Sequence, residues 1–188
     1  GSLFLLIGIA TLYASFSTLN FADIARLLRT GERPILAQAA GVLLTVVFLV
    51  KGAVFPFHFW QPDFHTTAPT PLSAALSSVV VKVGVYGLLR IVTLLFVDEA
   101  GVINQILIVL GIIGIFFGSL GALQTHNAKR VLAYSTFGQV GFILVAIGWG
   151  NPVALVGAIV YSVNHAFIKS SLLLLAGVVA SRNVKKTA

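Results

Sequence analysis

The chain has 188 residues, of which 58% are apolar and 9% are charged, and its mean hydropathy is +1.03. This composition excludes an ordinary soluble domain and indicates an integral membrane protein. The net charge is +7, but the basic residues fall within apolar stretches, short loops and the tail, which argues against nucleic-acid binding. Without cysteine, the chain offers no disulfide, Fe–S cluster or thiolate metal site, and we expect no cofactor and no redox chemistry in it.

Six apolar stretches approach or exceed the roughly 20 residues that a membrane-spanning helix needs. They cover residues 3–19, 35–60, 72–97, 102–123, 130–149 and 153–180. We therefore predict an all-α, polytopic transmembrane bundle of about six spans. The chain starts in an apolar stretch without a charged leader and contains no methionine, so we expect it to be a portion of a longer protein.

The first stretch is followed by a segment that we read as a polar connector. The second stretch then breaks, because Pro56, Pro62, Pro69 and Pro71 each remove a backbone donor between residues 51 and 71. One interpretation is a surface loop with an aromatic belt. We favour a discontinuous helix around residues 50–70, because Lys51 lies beside the break and ion-coupled transporters bind ions at such places. His58 and His65 flank the break and could relay protons or bond its free carbonyls.

Lys82 lies in the third stretch, with Ser78 and Tyr86 one helical turn to either side on the same face. An ammonium at the bilayer centre costs roughly 2.5–3.5 kcal/mol on insertion scales, so such a residue usually faces a protein or water interior. The fourth stretch carries four glycines, which favour close helix packing: Gly111, Gly114, Gly118 and Gly121.

The last stretch repeats titratable residues every four positions, at Tyr161, His165 and Lys169. This spacing stacks them on one helical face and predicts a proton wire. Alternatively, His165 bonds a nearby carbonyl and Lys169 extends to the membrane surface. Lys129, at the start of the fifth stretch, is a further candidate, although a solvated or lipid-headgroup role is equally typical of a helix boundary.

Acidic residues lie only at or outside the ends of the stretches, at Asp23, Glu32, Asp63, Asp98 and Glu99. None of them is expected to neutralise Lys51 or Lys82 within the membrane, and a buried unpaired cation is costly. We therefore expect an acidic partner for Lys51 on a helix outside this sequence or on a neighbouring subunit.

Several ordered blocks resemble one known family. They read KGAVFPFHFWQPD at 51–63, APTPLSA at 68–74, KVGVYGLLR at 82–90, KRVLAYST at 129–136 with QVG at 139–141, and HAFIK at 165–169. These blocks are similar to those of the antiporter-like membrane subunits of respiratory complex I (the L, M and N types), related hydrogenase complexes and Mrp sodium/proton antiporters (the A and D types).

The resemblance implies the central portion of a larger fold with two inverted helix repeats. In that frame Lys51 matches the lysine of a broken helix that the family pairs with a glutamate, and Lys82 matches a lysine or histidine of the next helix. Lys129, His165 and Lys169 match a central hydrophilic axis. Ser77 and Tyr161 stand where some relatives carry histidine.

These observations predict a proton- or cation-translocating membrane subunit that moves protons, or exchanges them against sodium, in an Mrp-type antiporter or a complex I-like quinone oxidoreductase. The predicted pathway residues are Lys51, Lys82, Lys129, His165, Lys169, Tyr161, His58 and His65. We expect partners among other membrane subunits, in a bacterial plasma membrane or another energy-transducing membrane. The alternative is a scaffold subunit whose lysines serve assembly or lipid binding.

Overall fold

The computed structural model describes residues 1–30, 34–98 and 100–186, with the backbone alone for residues 183–186. Helices dominate these ranges, and no strand occurs within them, which confirms the all-α prediction. In chain order the helices are α1 (Ser2–Phe16), α2 (Phe21–Arg29), α3 (Ile35–Lys51), α4 (Trp60–Thr67), α5 (Thr70–Leu95), α6 (Ala100–Leu123), α7 (Ala128–Trp149) and α8 (Pro152–Lys186). Glu32, Arg33 and Glu99 lie outside the described residues.

Four of these helices, α5 to α8, are long and apolar enough to cross a membrane. A fifth span results if α1 and α2, which meet at 57°, are counted together. The remaining apolar helix is α3, with 17 residues. Large apolar side chains are exposed along these helices, as for Phe116 (67%) and Leu175 (60%), and such faces are suited to lipid. The chain is therefore an integral membrane protein.

The segment after the first stretch is a helix, α2, where the sequence suggested a polar connector. Ser17 ends α1 in the left-handed conformation, with a φ of 53°. Asn20 then caps α2, because its side-chain oxygen accepts from the backbone N–H of Ala22 at 3.0 Å. Ile24, Ala25 and Leu28 fall on one face of α2 and are buried, which explains why so polar a segment is helical.

The predicted interruption of the second stretch is present. Helix α3 ends at Lys51, and α4 begins at Trp60 after a segment in which Ala53 has a φ of 51° and the Phe55–Pro56 peptide bond is cis. Trp60 Nε1 donates to the carbonyl oxygen of Val50 at 3.1 Å. The same carbonyl accepts from the backbone N–H of Ala53 at 3.1 Å, so a side chain and the backbone from beyond α3 both bind its last turn.

Helix α5 contains two wide π turns, Leu76–Val80 and Ile91–Leu95. The first ends two residues before Lys82, and its backbone bond runs from Val81 to Leu76. Such turns recur at functional sites because they rotate the residues that follow. The sequence pattern gave no sign of them.

Glycines set the contact between α6 and α7. A Cβ on Gly111 would lie 2.7 Å from the carbonyl oxygen of Gly141, and a Cβ on Gly118 would lie 2.7 Å from the backbone nitrogen of Gly138. The two backbones therefore touch, and only residues without a side chain fit between them. This explains the glycine spacing of the fourth stretch and holds α7 firmly in the centre of the bundle.

Candidate ion pathway

The buried side of α8 is polar at its centre. Four residues form a narrow buried stripe along this otherwise exposed helix: Ala158, His165, Lys169 and Leu173. Lys169 is only 3% exposed and His165 only 5%. The predicted alternative, in which Lys169 extends to the membrane surface, therefore does not describe its side chain.

Lys169 binds the neighbouring helix α7. Its Nζ donates to the carbonyl oxygen of Leu132 at 3.1 Å. The same oxygen accepts from Thr136 Oγ1, one turn further along α7, at 2.9 Å. A single main-chain carbonyl thus holds a buried cation and a buried hydroxyl.

Lys82 joins this group from α5. Its Nζ donates to the carbonyl oxygen of Ser77 at 2.6 Å, and Ser77 Oγ lies 3.0 Å from Thr136 Oγ1. Contacts within hydrogen-bond distance therefore run from Lys82 through Ser77, Thr136 and Leu132 to Lys169. Within the described ranges, neither ammonium contacts a carboxylate.

Thr136, like Ser77 and Leu132, was not among the predicted pathway residues. It lies in the KRVLAYST block, where its hydroxyl resembles any threonine that bonds the carbonyl four residues earlier. What distinguishes it is complete burial together with a second buried hydroxyl from another helix, and that pairing is not visible in the sequence.

His65 lies next to this group on α4, outside the four long spans. It is fully buried, and neither ring nitrogen has a partner within the described ranges, while its carbonyl oxygen accepts from Ser73 Oγ at 3.4 Å. Burial, together with the positive charges of Lys129 and Lys169, lowers the pKa of His65 to about 4. The ring is therefore neutral near pH 7 and can both donate and accept a proton.

Lys129 and Arg130 fasten α7 to the segment after the break. Lys129 is half-buried, and its Nζ donates to the carbonyl oxygen of Ala68 at 3.1 Å. Arg130 forms an ion pair of 3.1 Å with Asp63, whose side chain is 75% exposed. Lys129 therefore faces the protein near His65, whereas Arg130 binds at the surface.

The other predicted residues lie outside the hydrogen-bonded group. Lys51 is half-buried at the end of α3, and its ammonium has no acceptor within the described ranges. His58 stacks on Phe137 with ring centroids 4.4 Å apart. Tyr161 is 39% exposed, stacks on His165 at 6.5 Å and donates a hydrogen bond to Gln139.

The break and α5 approach each other closely beside Lys51. A Cβ on Gly84 would lie 2.4 Å from the backbone nitrogen of Gly52. Gly84 is two residues from Lys82, and Gly52 follows Lys51 directly. The two lysines therefore extend from helices whose backbones touch, which brings the break to the edge of the polar group.

A cleft of about 410 Å³ opens beside Lys82 between α5, α7 and α8. Its wall is mainly apolar, with Tyr86, Ile147 and Phe167 among the lining residues and hydroxyls from Ser78 and Ser162. Lys82, which is half-buried, can therefore be reached from the side of the bundle as well as from Ser77.

Residues 1–188 match the sequence profile of the family described as NADH:quinone oxidoreductase/Mrp antiporter, transmembrane. The chain belongs to that family. It is 34% identical to the D-type subunit of the Na(+)/H(+) antiporter of Alkalihalophilus pseudofirmus, over 94% of this chain and 36% of the relative. It is 41% identical to the N-type subunit of the NADH-quinone oxidoreductase of Desulforudis audaxviator, over 93% of this chain and 35% of the relative. The chain thus spans about a third of the length of these curated relatives.

Solved structures with the same fold include two membrane complexes. The Mrp complex from a Dietzia species superposes with a TM-score of 0.83 at 36% identity, over 94% of this chain and 19% of the matched chain. The membrane-bound sulfane sulfur reductase, an archaeal respiratory membrane complex, also gives a TM-score of 0.83, at 31% identity over 95% of this chain and 37% of the matched chain. The family suggested by the sequence blocks is confirmed, and these relatives are components of multi-subunit membrane complexes.

Proposed function

We propose that this chain is part of a proton- or cation-translocating membrane subunit in which protons move between Lys82 and Lys169. The observation that carries the proposal is the set of hydrogen-bond contacts that links five residues across three helices, in which Ser77 binds Lys82 through its carbonyl and Thr136 through its hydroxyl: Lys82, Ser77, Thr136, Leu132 and Lys169. Lys169 is buried and Lys82 half-buried, and neither contacts a carboxylate in the described residues; because such cations are costly in a transmembrane bundle, their presence supports a role in charge movement.

His165 and His65 supply imidazole rings next to the lysines. His165 is on the stripe that holds Lys169, and His65 is within reach of the charges of Lys129 and Lys169. The buried ring nitrogens of both histidines have no partner in the described part of the chain, so they can bind a proton or a water molecule. We assign both histidines and Lys129 to the same route.

We place Lys51 at the entrance of the route. It lies at the helix break, where α3 touches α5 near Lys82, and its charge has no partner in the described residues. An acidic side chain from the remainder of the subunit, or from a neighbouring subunit, would complete this site. Moving one charge across the whole membrane exchanges about 2.3 kcal/mol per 100 mV, and a proton that moves between two lysines exchanges the fraction set by the depth it crosses.

The relatives favour two settings for this activity. One is a sodium/proton antiporter of the Mrp type, and the other is a complex I-like quinone oxidoreductase in which redox chemistry occurs in partner subunits. The Mrp setting predicts that sodium addition alone drives proton movement in vesicles. The oxidoreductase setting predicts that proton movement requires an electron donor and a quinone.

The test uses the full-length subunit in its assembled complex, reconstituted into liposomes with a pH-sensitive dye. Lys169→Gln should lower proton flux per assembled complex by at least about tenfold, the effect of about 1.4 kcal/mol in a barrier. Arg26→Gln is the matched control, because it also removes a positive charge but at a side chain that is 74% exposed. If Lys169→Gln reduces assembly while leaving flux per assembled complex unchanged, the scaffold role is correct instead.

A further inference from the structure

Two buried hydroxyls meet at the centre of the lysine group. Ser77 on α5 and Thr136 on α7 are both 0% exposed, and their oxygens lie 3.0 Å apart although 59 positions separate them in the chain. Each hydroxyl can donate one hydrogen and accept others. The pair is therefore a polar contact between two transmembrane helices at the point where the lysines of α5 and α8 converge.

The hydrogens of this pair can take two orders. Thr136 has one hydroxyl hydrogen, and when it donates to the carbonyl oxygen of Leu132, the hydrogen between the two hydroxyls must come from Ser77. The reverse order, with Thr136 donating to Ser77, uses the same oxygens and requires only rotation about the C–O bonds. Such a pair can pass a hydrogen along without either oxygen becoming ionised.

Each end of the pair lies beside a lysine. The carbonyl that binds Lys82 belongs to Ser77 itself, and the carbonyl that binds Lys169 is the one that also binds Thr136. The relay therefore requires each lysine side chain to rotate so that its nitrogen moves from the carbonyl oxygen to the hydroxyl oxygen.

We propose that the Ser77–Thr136 hydroxyl pair carries the proton between Lys82 and Lys169, an inference that rests on the function proposed above. The Lys82 ammonium gives a proton to Ser77 Oγ, Ser77 passes its own hydrogen to Thr136 Oγ1, and Thr136 passes its own to the neutral amine of Lys169. Lys82 ends as an amine and Lys169 as an ammonium, while both hydroxyls keep one hydrogen. Rotation of the hydroxyls then restores the starting order.

A matched pair of variants at Thr136 separates relay from packing. Thr136→Val keeps the shape of the side chain and removes the hydroxyl, whereas Thr136→Ser keeps the hydroxyl and removes a methyl group. We expect Thr136→Val to lower proton flux per assembled complex by at least about tenfold and Thr136→Ser to stay within about threefold of the parent. Equal losses in both variants, or full flux in Thr136→Val, would overturn the proposal.

Thr45→Val is the control for loss of a threonine hydroxyl. Thr45 is half-buried on α3, and its hydroxyl donates to the carbonyl oxygen of Gly41 at 2.8 Å, the same four-residue spacing as Thr136 to Leu132. The proton flux of Thr45→Val should equal that of the parent protein. A loss of flux as large as that of Thr136→Val would contradict a specific relay.

The relay and the underlying function fail in different ways. Normal flux in Thr136→Val together with lost flux in Lys169→Gln would remove the relay and leave the proposed function intact. Normal flux in Lys169→Gln would remove both. If Thr136→Val does not assemble, Ser77→Ala removes the other hydroxyl without adding volume, and full flux in that variant overturns the relay.

Discussion

Lys169 on α8 donates a hydrogen bond of 3.1 Å to the carbonyl oxygen of Leu132 on α7. The partner of this buried cation is therefore neutral. A carboxylate would hold the proton tightly, whereas a carbonyl dipole stabilises the ammonium less and leaves the neutral amine within reach. The same reasoning applies to Lys82 and the carbonyl of Ser77. Both lysines are thus held in position by groups that do not fix their charge.

The helix break near Lys51 depends on Trp60. We expect Trp60→Phe to destabilise the subunit by about 0.5–1.5 kcal/mol, because the carbonyl of Val50 loses the 3.1 Å hydrogen bond from Trp60 and keeps only those from the backbone at the end of α3, such as the 3.1 Å bond from Ala53. Thermal denaturation of the purified complex measures the change. Trp149→Phe serves as the control, since Trp149 is 68% exposed and its indole has no hydrogen-bond acceptor in the described ranges. Equal shifts in both variants would contradict a specific role for Trp60 at the break.

The contact between α6 and α7 depends on glycine. A Cβ on Gly141 would lie 2.6 Å from the carbonyl oxygen of Gly111, so Gly141→Ala must push two backbones apart, at a cost of about 1–3 kcal/mol. Gly157→Ala is the counterpart, because nothing lies within 4 Å of its Cβ, and alanine favours a helix over glycine by up to about 1 kcal/mol. Detergent titration should show loss of stability in the first variant and none in the second.

Protonation of His65 should destabilise the fold. Its pKa is lowered to about 4 in the folded protein, below the ordinary value of 6.5, so the unfolded chain binds more protons between these two values. The contribution of neutral His65 to the free energy of unfolding is therefore fully present above about pH 6.5 and is lost as the pH falls toward 4. His65→Gln should flatten the pH dependence of the thermal midpoint in this window. An unchanged slope would show that other groups cause it.

Much of the fold could be predicted from local sequence signals. Apolar length revealed the long helices, and the prolines located the break because proline cannot donate a backbone hydrogen bond. Helix α2 was not recognised because its charged residues obscure a three-residue buried face, at Ile24, Ala25 and Leu28. The π turns of α5 were also missed, since nothing in their composition differs from that of an α-helix.

The candidate site was predictable only in part. The four-residue spacing of His165 and Lys169 predicted that they share one helical face, and the structure has both on one buried stripe, whereas Tyr161 at the same spacing is 39% exposed. Their binding partners could not be predicted in this way. Leu132 contributes a backbone carbonyl to Lys169, and Thr136 contacts Ser77, which is 59 positions away in the sequence. Backbone acceptors carry no residue-type signal, so only the packed helices reveal them.

Proton flux through Lys82→Gln, Lys169→Gln and the double variant tests the central claim most directly. The measurement is dye-reported flux per assembled complex in liposomes. If the two lysines act in series on one route, each single variant loses at least about tenfold, and the double variant is no slower than the slower single one. Independent losses that multiply in the double variant, or parental flux in either single one, would contradict a shared route from Lys82 to Lys169.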